Sequence, residues 1–256
     1  MKNSLEKIMN GLIDYAGLFP PAKLPLDQAI TEYISHFSDQ RKWMLGRFII
    51  PISQLNDLEK FIPKFDNVGT LKLSVLGAQS NSDKEFLDQT KKEISIIKEY
   101  RKKHEGKVLI EVIETKLPSQ SPSKDVMTRI VKLLNSNNLE HYHEFPELPY
   151  VGINYATNED EGDWDDKITP TIEMISKLDN AGIKLRCGGI VKEAFPSVEQ
   201  VAAMIQNCSI YQVPLKFTAG LHHPIRHHSS EYSTEMHGFI NMFSACLLYT
   251  SPSPRD

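Results

Sequence analysis

The stretch KVLIEVIETKLPSQSPSKDVMTRIVKLLNS, residues 107–136, decides the fold. It opens on KVLIEVIET, a short apolar run rich in β-branched Val and Ile and so a strand candidate. It closes on Met127, Ile130, Val131 and Leu134, apolar residues three and four apart as on one side of a helix. The Pro- and Ser-rich TKLPSQSPSKD between them has the chemistry of a surface loop. Strand, loop and helix together make one βα unit.

The same alternation runs outward in both directions. Strand-like runs occur in GLIDYAGLF, MLGRFIIP, TLKLSVLG, a weaker HYHEFPELPYVGINYA, IKLRCGGI and VPLKFTAG. Between them lie the helical patterns PLDQAITEYISHFSD, SQLNDLEKFIPKF, DKEFLDQTKKEISIIKEYRKKH, ITPTIEMISKLDNAG and SVEQVAAMIQNC. Ser53 and Ser197 stand as N-caps, Glu199 falls early in its helix, and Asn180-Ala181-Gly182 reads as a C-terminal stop. Strands joined through helices run parallel, and such a series closes into a (β/α)8 barrel or opens into a doubly wound sheet. DYAGLFPPAK, at the first strand, carries neither a phosphate loop nor a GxGxxG turn. The expectation is therefore an α/β chain of the (β/α)8 TIM-barrel type with no nucleotide cofactor. About seven βα units are present, with a further helix starting near Ser233, so the barrel reads as C-terminally truncated. No linker divides it, and residues 1–245 are expected to form one domain. CLLYTSPSPRD, residues 246–256, matches the translation of a transposase-type sequencing adapter. It is expected to be non-native, its SPSPRD ending disordered after an otherwise helical MHGFINMFSACLLY, with the natural reading frame continuing past Ala245.

Composition narrows the partners. A chain of 256 residues, 40% of them hydrophobic, can bury a sizeable core. A formal net charge of -4 and the lack of a long basic run argue against nucleic acid. MKNSLEKIMNGLIDYAGLF intersperses charge among its apolar residues, so no signal peptide and no membrane partner are expected, and the chain is placed in the cytoplasm. Cys187, Cys208 and Cys246 lie far apart without CxxC spacing, predicting isolated reduced thiols. A small anionic metabolite is the expected partner; the oligomeric state is left open.

Alternation along the last two strands predicts where the charges point. Ile183, Leu185 and Cys187 form one face of IKLRCGG, which turns Lys184 and Arg186 to the interior. Leu215 and Phe217 likewise leave Lys216 and Thr218 inward, so three cations converge and need a compensating anion. Asp14, Glu111 or Glu114, and Glu144 are available carboxylates, and Arg47 adds a cation; a closed ion network is the competing reading. Gly188, Gly189 and Gly220 would bring backbone N–H groups close to a bound carboxylate or phosphate, or simply make tight turns. His222 is the expected acid or base. His222 and His223, or His227 and His228, point to opposite sides as neighbours and cannot easily share a metal. A divalent metal on His222 with His143, Glu144 or His237 is the alternative to an expected absence of cofactor.

DYAGLFPPA, KLRCGGI with AFPSVEQVA, and LKFTAGLHHP with MHGFINMF together resemble an uncharacterised bacterial family, over most of the chain. That resemblance implies one domain and brings no activity. Lys216-Phe217-Thr218-Ala219-Gly220 is similar to the K-x-[ST]-x-G strand end that holds the Schiff-base lysine of deoxyribose-phosphate-type class I aldolases. Lys184 with Gly188 and Gly189 resembles their second lysine strand with one extra residue, in reversed chain order. The analogy implies a lyase or isomerase in which Lys216 attacks a carbonyl, while Lys184 and Arg186 tune it or grip the anion. Lys216, Lys184, Glu144 and His222 are then the expected catalytic residues, and Arg186, Arg47, Asp14, Thr218, Gly188, Gly189 and Gly220 the substrate contacts. A metal-dependent hydrolase and a non-catalytic binding domain are the competing readings.

Overall fold

The computed structural model describes residues 4–118, 122–144 and 164–250. In chain order the elements begin with α1 (Ser4–Met9), β1 (Ile13–Tyr15), α2 (Leu26–His36), β2 (Leu45–Pro51) and α3 (Leu55–Leu58). They continue through β3 (Leu71–Leu76), α4 (Asp83–Lys103), β4 (Val108–Lys116), α5 (Lys124–Asn135) and β5 (Glu140–Glu144). The last are α6 (Trp164–Ser176), β6 (Ala181–Arg186), α7 (Val198–Ile210), β7 (Leu215–Thr218), β8 (His227–Ser229), β9 (Thr234–Met236) and α8 (Phe239–Thr250). Strands β1 to β7 follow one another in a single sheet in the order of the chain, flanked by helices, while β8 and β9 pair as a separate antiparallel hairpin. The pairs β1–β2, β2–β3, β3–β4 and β6–β7 are parallel. The alternating strand and helix signals thus give an α/β fold with a seven-stranded sheet.

The chain gathers into two compact units interleaved in sequence. The first comprises Met1–Gln79, Leu87–Thr115 and Lys132–His141. Its core is laid down by strand register: Phe48, Leu73 and Ile110 form one cross-strand row, and Ile50, Val75 and Ile113 a second. All six are fully buried, each removing about 1.5–3 kcal/mol worth of apolar surface from water. Helix α4 closes over this unit with Ile94, Ile97 and Tyr100 inward. Asp83 and Glu85 in its first turn and Arg101, Lys102 and Lys103 in its last oppose the helix dipole.

The second unit comprises Ser80–Phe86, Lys116–Val131 and Tyr142–Asp256. Ile168, Ile172 and Ile175 of α6, Ile183 and Leu185 of β6, and Met204 and Ile205 of α7 are buried in it. Ser197 caps α7 as its sequence predicts: its hydroxyl accepts from the Gln200 N–H, and the Gln200 side chain returns a bond to the Ser197 N–H.

Four local expectations are corrected. Ser53 lies inside a 3₁₀ turn, Ile52–Gln54, and Gln54 occupies the cap of α3. The helix expected over residues 53–65 is α-helical only at Leu55–Leu58 and continues as 3₁₀ through Glu59–Phe65, because Pro63 has no N–H for an i→i−4 bond. Asn180, at φ 57, introduces β6 rather than ending α6, which stops at Ser176. The helix expected near Ser233 begins at Phe239, since Ser233 (φ 48) turns the β8–β9 hairpin. Helix α8 runs through Cys246 to Thr250, in line with the helix expected over MHGFINMFSACLLY. Residues 145–156 of the weak fifth strand run and 251–256 of the tail lie outside the described residues.

Candidate functional site

Parallel pairing sets the geometry at the end of the sheet. Lys184 is the register partner of Lys216, and Arg186 is the partner of Thr218. Partners on adjacent parallel strands lie about 4.8 Å apart on the same face. The two lysines are therefore side by side, with Arg186 and Thr218 one pleat nearer the strand C-termini. In β6 the alternation is complete: Ile183, Leu185 and Cys187 are fully buried, whereas Lys184 is half-buried and Arg186 exposed. In β7 all four residues are half-buried, so it lacks the inward and outward faces that its sequence suggests. The three cations share a face but not the dry interior expected for them.

A tyrosine completes this face. The Lys216 ammonium lies 6.0 Å from the centroid of the Tyr142 ring. The ring lies over Gly182, where any Cβ would come within 2.6 Å of two of its carbons. Gly182 shares the β6 face of Lys184 and Arg186, and its missing side chain is what admits the ring. Sequence reasoning passed over Tyr142, although its alternation with the buried His141 in HYHE was a usable signal.

The glycines are accounted for by backbone packing. A Cβ on Gly188 would meet the Gly220 Cα at 2.7 Å and the Phe195 ring at 2.9 Å. A Cβ on Gly220 would overlap the Cys187 carbonyl, and Gly220 also has a φ of +66 following Ala219 at 58. The two loops leaving β6 and β7 are thus in direct backbone contact. Gly189 sits over the Ala194 methyl, and the Arg186 Nε–H donates to the Gly188 carbonyl at 2.8 Å.

Beyond Gly220 the chain carries its histidines. His222 is exposed; the partial shielding of its ring and the adjoining His223 together hold it below the ordinary histidine value. The His223 and His227 rings are in contact, their centroids 4.0 Å apart. His228 and Arg226 both face the Glu235 carboxylate, at 3.1 and 3.6 Å. His237 is buried, and its Nε2–H donates to the Pro196 carbonyl at 2.7 Å. Among the described residues no three His, Cys, Asp or Glu side chains are grouped to hold a metal ion. Glu144 and His143 lie in β5, with side chains outside the described residues.

The remaining predicted residues sit in the first unit and engage one another. Asp14 accepts the backbone N–H of Arg47 at 2.7 Å, and the Arg47 guanidinium reaches Glu111 at 3.4 Å and Glu140 at 4.0 Å. Arg47 stands near the start of β2 and Glu140 at the start of β5, away from the strand C-termini where α/β sheets bind ligands. Glu114 is buried and accepts from the Ser74 hydroxyl at 2.6 Å. Glu93 was missed by sequence reasoning although it lies on the buried stripe of α4 with Thr90 and Ile97. It accepts the Ala78 N–H at 2.6 Å and the Gln89 amide at 3.1 Å, and burial pushes its carboxyl up. An open cleft of about 700 Å³ beside Leu18, Leu24, Asp27, Gln54, Asp57 and Lys60 contains none of the predicted residues. Its Asp27, Asp57 and Lys60 are exposed, so volume alone marks it. Comparison with protein-family models and with curated proteins returns no match.

Proposed function

We propose that this chain is a barrel-type (β/α)8 enzyme, a lyase or isomerase acting on a small carboxylated or phosphorylated carbonyl compound through Lys216. The observation that carries the reading is the register pairing of Lys184 with Lys216, two amines on one sheet face with Arg186 and Thr218 next toward the strand ends. In the proposed step the neutral Lys216 amine adds to the carbonyl carbon and the carbinolamine loses water to give an imine. The imine then draws electrons from the neighbouring carbon while a C–C bond breaks or a proton leaves. Lys184 and Arg186 hold the substrate anion as charged donors, and the Thr218 hydroxyl adds a neutral one. His222, held below the ordinary histidine value, is neutral at neutral pH and able to accept the proton. Glu144, on β5, is the proposed carboxylate partner. The reading makes the protein a cytoplasmic enzyme of small-metabolite chemistry.

The test is reductive trapping. The full chain is incubated with pyruvate or dihydroxyacetone phosphate and sodium cyanoborohydride, which delivers hydride to an imine and leaves a stable secondary amine. Intact-mass and peptide analysis should place one adduct on Lys216, lost in Lys216→Ala and kept in Lys184→Ala. No adduct on the wild-type chain removes the imine mechanism. An adduct that survives Lys216→Ala moves the nucleophile elsewhere.

A further inference from the structure

We propose that His223 and His227 form a binding site for a borderline divalent transition metal such as Zn²⁺, with two imidazole ligands and its other positions open. The site contains none of the residues given a role in the lysine chemistry above. Imidazole binds zinc at about 2.0–2.1 Å, so two ligands on one tetrahedral ion place their ring centroids about 5 Å apart. The rings of His223 and His227 are already 4.0 Å apart, inclined at 57°, and separate to that distance by small rotations. His223 is exposed, so its ring has room to turn.

The arrangement around the pair is that of a ligand set. The His227 Nδ1 faces the Ile225 carbonyl at 3.4 Å. A carbonyl only accepts, so the tautomer that makes this contact carries its proton on Nδ1 and leaves the Nε2 lone pair for a metal, the orientation that metal-bound histidines adopt. The loop between the two histidines is held on the first turn of α8 at three points. The His223 carbonyl accepts from the Phe239 N–H and the Pro224 carbonyl from the Ile240 N–H, both at 3.0 Å. The Arg226 N–H donates to the Asn241 side chain at 2.8 Å. Arg226, the cation closest in sequence, faces Glu235, as does the His228 ring, and that carboxylate offsets the repulsion of Arg226 toward an arriving dication. Two protein ligands leave positions for water or for a carboxylate or phosphate ligand, and this openness is compatible with the lack of a three-residue group among the described residues.

Isothermal titration of the full chain with ZnCl₂ should show one saturable site per chain. Its affinity should fall at least ten-fold in His223→Ala and in His227→Ala, and stay within about two-fold in His228→Ala. Thermal melts of each variant check that it is folded. Side-chain ¹⁵N spectra of the wild-type chain with Zn²⁺ supply a readout free of substitution, in which two imidazoles should show metal-bound Nε2 signals. The proposal is overturned if the wild type takes up no zinc saturably. It is equally overturned if uptake is unchanged in both folded variants, or if the shifted signals belong to other histidines.

Discussion

His141 shows what a single residue costs when the sheet encloses it. The ring is fully buried in β5, its Nδ1 lies 3.2 Å from the Leu139 carbonyl, and burial pushes it down to about 4 from an ordinary 6.5. For a base with a depressed folded value, the unfolded chain takes up the proton first on acidification. Its stabilising contribution is therefore complete above pH 6.5 and is lost progressively as the pH falls from 6.5 to about 4. At 1.36 kcal/mol per unit, the loss is about 3 kcal/mol. Urea midpoints measured across this range should fall with pH in the wild-type chain and much less steeply in His141→Leu. A midpoint equally pH-dependent in both chains would exclude His141 as the cause. At this scale much of the candidate site was legible. Alternation in IKLRCGG separates the buried Ile183, Leu185 and Cys187 from Lys184 and Arg186, because a strand repeats every two residues. The role of Gly182 was not, since nothing local in sequence states that Tyr142 from another strand lies over it.

Elements follow their signals where capping and periodicity agree. At α7 both do, and the reciprocal bonds between Ser197 and Gln200 satisfy two otherwise orphaned N–H groups. Ser197→Ala should destabilise the chain by about 1 kcal/mol, with Ser197→Asp recovering most of it, as read from denaturant midpoints. Equal midpoints for wild type and Ser197→Ala would mean that the cap contributes nothing. Where signals conflict, the local rule loses. Ser53 has the chemistry of a cap, yet Pro51 and Pro63 bracket a segment that winds mostly as 3₁₀. The β8–β9 hairpin was illegible for another reason: HHSSEYSTEM offers no buried apolar face, so its periodicity reports neither strand nor helix. Its turn is visible only in the backbone, at the positive φ of Ser233.

Across the whole molecule, strand number and order were legible because seven apolar runs are separated by helices, and the sheet keeps that order. The division into two units was not, because the boundary before Lys116 falls in TKLPSQSPSKD, which reads as a surface loop, and Ser80–Phe86 joins the second unit from within a stretch that leads straight into a helix. The thiols give a test of the folded chain as a whole. Cys187 and Cys208 are buried, which pushes both thiols up, Cys208 to about 12, while the half-buried Cys246 is raised less severely. Ellman's reagent should therefore modify at most one thiol of the native chain, slowly and at Cys246, and all three after guanidinium is added. Rapid native labelling of Cys187 or Cys208 would contradict this burial. The contact between Gly188 and Gly220 has a mechanical consequence. It rivets the segment that leads to Ile190 against the one that leads to His222. A shift of either backbone at this point therefore has to be shared by the other.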